Sequence, residues 1–197
     1  MDKKAVLDTL VKNSNGYLLT ADATKADVSR KYVGKYVKEN NMEHVANGVY
    51  LSEDGWHDGL YILHLKNKQM YFSHETALFL HGLMEREPFG TSVTVKPNYN
   101  ATHLRNQDVS VYSVKSKFFD IGASTAKTNF GNTVAVYDME RTICDIIRYR
   151  SRMDVQVFGT AMKEYAKSKN KNIASLGSYA KSFEIKEEVM RYVEVLI

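Results

Sequence analysis

The sequence predicts a mixed α/β (α+β) protein with two domains. Residues 1–52 are predicted to form a winged helix-turn-helix, and residues 53–197 a small mixed sheet with helices followed by a helical bundle. Three observations predict this: helical apolar spacing in three short N-terminal segments, an Asn-Gly hairpin signal directly after them, and a helical pattern from residue 138 onward. The chain has 197 residues, of which 44% are hydrophobic, so it can bury a core.

Three helices are predicted in the first forty residues. Residues 3–12 carry an apolar stripe and end at the run Asn13-Ser14-Asn15-Gly16, which tolerates left-handed backbone. After a short extended piece at residues 17–19, Thr20 is predicted to cap a second helix ending at Ala26. Asp27 and Val28 then make a tight turn, and Ser29 caps a third helix that runs to about Glu39.

The third helix has two different faces. At about 100° per residue its three lysines fall within about 60° of one another, the two valines lie opposite, and the two tyrosines lie between. The residues are Lys31, Lys35, Lys38, Val33, Val37, Tyr32 and Tyr36. A basic helix after a short helix and a turn is typical of a helix-turn-helix, whose second helix enters the major groove. The alternative is an ordinary helix with a solvated lysine face.

A β-hairpin follows at once. Two strand-like segments, residues 42–46 and 49–51, flank Asn47-Gly48, a strong signal for a two-residue turn. Three helices followed by a hairpin is the order of a winged helix. The start of a recognition helix reaches base edges and phosphates, so the predicted contacts there are Ser29, Arg30, Lys31, Tyr32, Lys35 and Tyr36. Contacts to the DNA backbone are predicted for Lys38, Asn47 and Gly48.

The second domain is predicted to mix strands and helices. A domain boundary near residues 52–58 precedes a strand-like stretch at residues 61–65, and a helix over residues 73–83 is capped by Ser73 and closed at Gly82. Further strands are predicted at 91–95, 109–114 and 133–137. Asp138 caps a helix to about residue 150, a second runs over 154–168, and two shorter ones follow, the last with an apolar stripe that includes Leu196.

The net charge of +4 is unevenly distributed. Residues 1–52 carry 8 basic and 6 acidic side chains, residues 53–140 carry 8 and 10, and residues 141–197 carry 11 and 7. A second basic surface is predicted from Arg148, Arg150, Arg152, Lys163 and Lys167, with Lys169 and Lys171 nearby. This second surface would either extend the area of contact with DNA or bind tRNA. The alternative is that it is simply the solvated surface of the helical bundle.

Catalytic, metal-binding and membrane functions are not expected. The chain has no Walker loop, no GxGxxG and no HExxH, and its single cysteine, Cys144, lies in an apolar run where an inert thiol is expected. Four acidic residues invite a metal-site interpretation, but capping, helix-dipole and ion-pair roles explain them more simply: Glu75, Asp138, Glu140, and Asp145 beside Arg141 or Arg148. No signal segment or membrane-length apolar run is found, so we expect a cytoplasmic protein without an enzymatic activity, a cofactor or a metal.

Several short motifs in the second domain resemble those of the AbiEi antitoxins of abortive-infection systems. They are Ser73-His74-Glu75-Thr76-Ala77-Leu78, His81-Gly82-Leu83, Val136-Tyr137-Asp138-Met139-Glu140-Arg141-Thr142 with Asp145, and Tyr192-Val193-Glu194-Val195-Leu196. One departure is Asp27, where relatives commonly have glycine before the recognition helix. Asp also tolerates left-handed backbone, so the turn is still expected. The resemblance carries over no catalytic residue.

The resemblance implies a type IV antitoxin that represses its own operon by binding inverted repeats in double-stranded operator DNA. Its partner would be a separately encoded nucleotidyltransferase toxin, AbiEii, which it counters without a stable complex. Such a toxin has tRNA as its expected substrate class, which makes tRNA a second candidate partner. The alternative is a stand-alone winged-helix transcription regulator whose C-terminal domain binds a ligand or dimerises. A toxin gene immediately downstream would separate these two hypotheses.

Overall fold

The structure, a computed structural model, describes residues 2–196 and confirms the mixed α/β fold class. The chain divides into two compact units. The first runs to Lys68 and also includes the separate segment Lys127–Thr133. The second consists of Gln69–Ala126 and the chain from Val134 onward. In the part of the chain that the structure describes, no helix has the length and apolar character required to cross a membrane.

The first unit contains every helix and strand predicted before residue 52. In chain order they are α1 (Lys3–Asn13), β1 (Tyr17–Leu19), α2 (Thr20–Lys25), α3 (Arg30–Glu39), β2 (Glu43–Ala46) and β3 (Val49–Leu51), and α4 (Gly59–Lys66) follows. The three strands form an antiparallel sheet in the order β1-β3-β2. The central strand β3 therefore pairs with β1 on one side and with its hairpin partner β2 on the other.

Local signals fix the ends of these elements. The Ser29 side chain caps α3 by accepting a hydrogen bond from the Tyr32 amide at 3.4 Å, as predicted. Asp27 adopts a left-handed backbone with φ of 59°, and Gly48 in the hairpin turn has φ of 69°. The prediction for Thr20 was wrong: Leu19 is the N-cap of α2 and makes no side-chain cap, and Thr20 is the first helical residue.

The residues predicted as a strand at 61–65 form the helix α4 instead. A run of only five residues, most of them apolar or aromatic, is too short to distinguish a strand from a helix by its periodicity. The residue that decides in favour of a helix is Asp58. Its carboxylate accepts a hydrogen bond from the Tyr61 amide at 3.0 Å and caps α4. The helix packs Tyr61, Ile62 and Leu65 against the buried side chains of the three-stranded sheet.

The limit of the first unit follows from this packing. The unit extends to Lys68 rather than ending at 52, because α4 covers the sheet. The same Asp58 carboxylate also accepts hydrogen bonds from Thr128 and, at 2.8 Å, from Asn132. These bonds attach the segment 127–133 to the first unit.

The second unit is built on a mixed sheet in the order β6-β5-β4-β8-β7. Its strands are β4 (Met70–Phe72), β5 (Ser92–Val95), β6 (Ser110–Ser113), β7 (Ala123–Lys127) and β8 (Thr133–Tyr137). The three predicted strands correspond to β5, β6 and β8. The sequence did not predict β4, which has only three residues, or β7, whose polar residues are mostly exposed and lack apolar alternation.

The second unit also contains helices, most of which pack together in one hydrophobic core. They are α5 (His74–Leu80), α6 (Thr102–Arg105), α7 (Ser116–Phe119), α8 (Met139–Arg148), a 3-10 turn (Arg150–Arg152), α9 (Val155–Lys167), α10 (Ile173–Ser182) and α11 (Lys186–Leu196). Asp138 caps α8 as predicted, accepting from the Arg141 amide at 2.8 Å. Ser73 precedes α5 but makes no side-chain cap, contrary to the prediction. The predicted contribution of Leu196 to the apolar stripe of α11 lies outside the described side chains.

Candidate nucleic-acid interface

The inner face of α3 is fixed in the core of the first unit. Val33 and Tyr36 are buried with apolar residues from α1, α2 and β1. The Tyr36 hydroxyl donates a hydrogen bond to the Asp8 carboxylate at 2.7 Å. Burial, followed by the effect of Asp8, raises the pKa of Tyr36 well above its usual value. Tyr36 was predicted to contact DNA, but it lies three residues after Val33 on the buried face, so the structure removes it from the candidate interface.

The outer face of α3 carries the predicted cations. Lys31, Lys35 and Lys38 are exposed, and Tyr32 is half-buried beside them. With Ser29 and Gly34 these residues line one shallow groove along the helix. Lys35 makes an exposed ion pair with Glu39 at 3.6 Å, which contributes little and is easily exchanged for another anion. The lysine face predicted from helical spacing is therefore present and accessible.

The beginning of α3 adds to the positive potential. Its first turn contains no acidic residue, and Arg30, its first residue, is exposed. The partial positive charge of the helix N-terminus is thus not neutralised by a neighbouring carboxylate of the same turn. An anion placed there would interact with the helix end and with Arg30 together.

The hairpin turn is held in place against α2. The Gly48 carbonyl accepts a hydrogen bond from the Thr20 amide at 2.8 Å. Asn47, the other turn residue, is exposed. The two hairpin residues predicted to contact the DNA backbone therefore lie on a turn that is hydrogen-bonded to the first residue of α2.

Carboxylates near this surface already have partners. Asp22 pairs with Lys25 at 2.9 Å, and Glu43 pairs with His57 at 2.7 Å. Among the described residues, no carboxylate oxygen lies within ion-pair distance of Arg30, Lys31 or Lys38. The cations of the candidate interface are thus available to an external polyanion.

The structure adds two residues that the sequence did not single out. His44 on β2 and Lys68 after α4 line a concavity together with Arg30, Asn47 and Gly48. Lys68 was not predicted as a site residue because it follows the segment that was predicted to be a strand. It also lies beyond the predicted domain boundary at residue 52. Correct identification of α4 from its Asp58 cap would have placed Lys68 in the first unit.

The second predicted basic surface is mostly engaged in contacts within its own unit. Arg148 pairs with Asp145 at 3.4 Å, Arg150 donates to the Tyr192 hydroxyl at 2.6 Å, and Lys167 pairs with Glu164 at 2.7 Å. The Arg152 guanidinium lies 6.0 Å from the centre of the Tyr149 ring. Lys163 is exposed.

The five cations lie on three different elements: α8, the 3-10 turn and α9. Arg150 packs over Phe158, near the beginning of α9, with 5.6 Å between the guanidinium carbon and the ring centre. Lys163 and Lys167 lie one turn apart on the C-terminal half of the same helix. Lys163 is exposed, and the pair between Lys167 and Glu164 is itself exposed and therefore weak. These two lysines are the part of the predicted surface best placed to meet a partner.

The acidic residues of the second unit have structural partners. Glu75 accepts from the Ser92 hydroxyl at 3.0 Å, and Glu140 accepts from the Tyr165 hydroxyl at 3.1 Å and the Asn172 amide at 2.7 Å. Asp145 pairs with both arginines named as its candidate partners, Arg141 at 2.9 Å and Arg148. No group of three metal-binding side chains occurs in the part of the chain that the structure describes.

The motifs that carry the AbiEi resemblance contribute to the core. Arg141 is completely buried, and its guanidinium donates to the Phe118 carbonyl at 2.8 Å and the Ile121 carbonyl at 2.7 Å. His74 is buried with a left-handed backbone, φ 48°, and its ring stacks on Tyr112 with 3.5 Å between the ring centres. Burial lowers the pKa of His74 to about 3, so this ring is neutral.

Cys144 lies in the same core. Burial raises the pKa of its thiol to about 12, so the thiolate is scarcely populated near neutral pH. A buried thiol in this form is a poor nucleophile.

Comparisons with known proteins bear on the fold. No protein-family model matches the chain, and no curated protein matches it. Among solved structures, the chain is similar to the crystal structure of the RV2827C protein from Mycobacterium tuberculosis, with a TM-score of 0.57 and 12% sequence identity. The match covers 89% of this chain and 70% of that one. At this identity the likeness shows the fold alone.

Proposed function

We propose that this chain is a DNA-binding regulator whose first unit is a winged helix-turn-helix with α3 as its recognition helix. The observation that carries the proposal is the two-sided nature of α3. Its valine and tyrosine face is locked in the core, whereas Lys31, Lys35 and Lys38 point outward without a strongly bound partner. A helix fixed in this way can present its outer side chains to a groove without a large loss of backbone entropy.

In this proposal α3 enters the major groove and the hairpin turn at Asn47 and Gly48 lies on the DNA backbone. Residues at the start of the helix, Arg30 and Lys31, reach base edges or phosphates. Each neutralised phosphate releases condensed counterions. Binding to any duplex therefore weakens as salt rises, with a slope of about −0.9 per phosphate contact.

The test is the double variant Lys31→Ala, Lys35→Ala in the full chain. We expect operator affinity to fall at least about tenfold, since loss of a base-reading contact costs about 1–3 kcal/mol and loss of a phosphate contact weakens binding further. The matched control is Lys181→Ala with Lys186→Ala, which removes the same charge from exposed positions of the second unit. Equal losses of operator affinity in the two variants would show that only the net charge of the protein matters. That result would contradict the assignment of α3 as the recognition helix.

The proposal extends to the antitoxin of a type IV toxin–antitoxin pair that represses its own operon from the cytoplasm. Support for this part comes from the AbiEi-like motifs at residues 73–83 and 136–145. The second unit would then carry the antitoxin activity without acting as an enzyme. It would counter a nucleotidyltransferase toxin without a stable complex.

Co-expression tests the antitoxin part. The chain should restore growth of cells that express a nucleotidyltransferase encoded immediately downstream of it, and the variant with both α3 lysines replaced should still do so. A chain that represses transcription but has no such neighbour, or fails to restore growth, would instead be a stand-alone regulator with a ligand-binding or dimerising second unit.

A further inference from the structure

A concavity of about 550 Å³ lies within the first unit, between α2, the beginning of α3 and the hairpin. It is distinct from the lysine groove on the outer face of α3, which is lined by different residues. The polar side chains that line it are Thr20, Thr24, Arg30, His44, Asn47, Tyr50 and Lys68. Four parts of the chain, namely α2, the beginning of α3, the hairpin and the residues after α4, therefore contribute hydrogen-bonding groups to one depression.

The charge of this concavity is one-sided. Arg30 supplies a guanidinium, Lys68 an ammonium and His44 an imidazole, and no carboxylate lines the concavity. Partial burial lowers the pKa of Lys68, and the nearby Asp22 carboxylate acts in the opposite direction. That carboxylate is already paired with Lys25 at 2.9 Å. The described part of the chain supplies no ion-pair partner for either lining cation. An anion is the ligand that such a lining favours.

The walls are fixed before any ligand binds. The Thr20 amide donates to the Gly48 carbonyl at 2.8 Å, and the Thr24 hydroxyl donates to the Thr20 carbonyl at 2.8 Å. The His44 ring packs against Tyr50 with 5.4 Å between ring centres. A ligand that enters the concavity therefore pays little for ordering the backbone around it.

We propose that this concavity binds a phosphate group, held by Arg30 and Lys68 with hydrogen bonds from His44, Asn47 and Tyr50. A guanidinium makes paired hydrogen bonds to phosphate oxygens, and the ammonium adds a compact charge. The source we assign is the DNA backbone, since the concavity lies between α3 and the hairpin turn. This assignment rests on the proposed DNA-binding function. The phosphate would fix the position of the duplex without reading its sequence.

The first experiment compares Lys68→Gln with Lys66→Gln in the full chain. Both lysines are exposed near the end of α4, but only Lys68 lines the concavity. Binding of a fluorescent 20-base-pair duplex of arbitrary sequence is measured by anisotropy across a salt series. Lys68→Gln should weaken binding several-fold and reduce the slope of log affinity against log salt by about 0.9, whereas Lys66→Gln should leave the slope unchanged. Equal slopes in both variants would overturn the assignment to the DNA backbone.

The second experiment asks whether the concavity takes phosphate at all. Pyrophosphate is titrated into the isotope-labelled protein at constant ionic strength, and backbone amide shifts are followed by NMR. Shifts confined to Thr20, His44, Gly48 and their neighbours, and lost in Lys68→Gln, are expected. Their absence would overturn the phosphate site even if duplex DNA binds elsewhere on the protein.

The two experiments separate the possible failures. Pyrophosphate shifts together with unchanged duplex slopes would mean that the site serves a free phosphate compound, which contradicts the DNA source. If the wild-type protein binds no duplex even at low salt, the proposed function fails. The pyrophosphate titration then still decides whether the concavity is a phosphate site.

Discussion

Tyr36 shows how one hydroxyl can be assigned to the wrong partner from sequence. Helical spacing placed it between the two faces of α3, where a DNA contact was reasonable. The neighbouring helix α1 supplies Asp8, which accepts the hydroxyl at 2.7 Å and turns Tyr36 inward. Spacing along one helix gives the direction of a side chain, but it does not reveal an acceptor on another helix.

Replacement of Tyr36 by Phe tests this assignment. The variant loses one hydrogen bond to a carboxylate, so the free energy of unfolding should fall by about 1–2 kcal/mol. DNA affinity should remain within a factor of two of the wild-type value. Urea denaturation and a duplex titration measure the two quantities. A large loss of affinity with unchanged stability would return Tyr36 to the interface.

Asp27 occupies the left-handed backbone conformation required at the turn before α3, with φ of 59°. Asp tolerates this conformation better than residues without a short polar side chain. Asp27→Ala should therefore lower the free energy of unfolding by about 1 kcal/mol, whereas Asp27→Gly should leave it unchanged or raise it slightly. Thermal unfolding of the two variants checks the order. Equal stability of the Ala and Gly variants would contradict this account of the turn.

Helix α4 is the element where prediction from the sequence failed most clearly. A short run of apolar residues lacks the length to establish a period, so a strand and a helix were indistinguishable at 61–65. By contrast, α1, α3 and the hairpin were predicted correctly because caps, turn residues and periodicity agree there. The strands β4 and β7 were missed because three residues, or an exposed polar segment, give no alternation.

Asp58 is central to this element because it is buried and binds three partners. It caps α4 through the Tyr61 amide and accepts hydrogen bonds from Thr128 and Asn132. Asp58→Ala removes the cap and leaves buried donors unpaired, so we expect a loss of at least about 2 kcal/mol in the free energy of unfolding. Asp54→Ala, at an exposed position in the preceding loop, is the control and should cost far less. Comparable losses would show that Asp58 does not organise the element.

On the scale of the whole molecule, the cations that are candidates for binding nucleic acid fall into two sets. The α3 lysines and the concavity lie in the first unit, and Lys163 and Lys167 lie in the second. The sequence predicted the two sets from helical spacing, since exposed lysines at i and i+4 are visible in any helix. It predicted the pairing of Arg148 with Asp145. It did not predict the hydrogen bond from Arg150 to Tyr192, because that contact depends on tertiary packing.

Charge reversal separates the roles of these two sets. Lys163→Glu with Lys167→Glu should leave operator affinity within a factor of about three of wild type, because these side chains lie outside the proposed DNA-binding unit. If the second unit binds tRNA, the same variant should lose tRNA binding and toxin neutralisation. Co-expression and a tRNA gel shift measure this. Intact neutralisation and tRNA binding would identify the surface as merely solvated.

The central claim is sequence-specific DNA binding by the first unit. The most direct test is a titration of the full-length protein with duplex DNA from upstream of its own gene, against a scrambled duplex, at two salt concentrations. We predict tighter binding to the upstream duplex, and weaker binding to both duplexes at the higher salt. Equal affinity for the two duplexes, or no binding at the lower salt, would contradict the claim that α3 reads an operator.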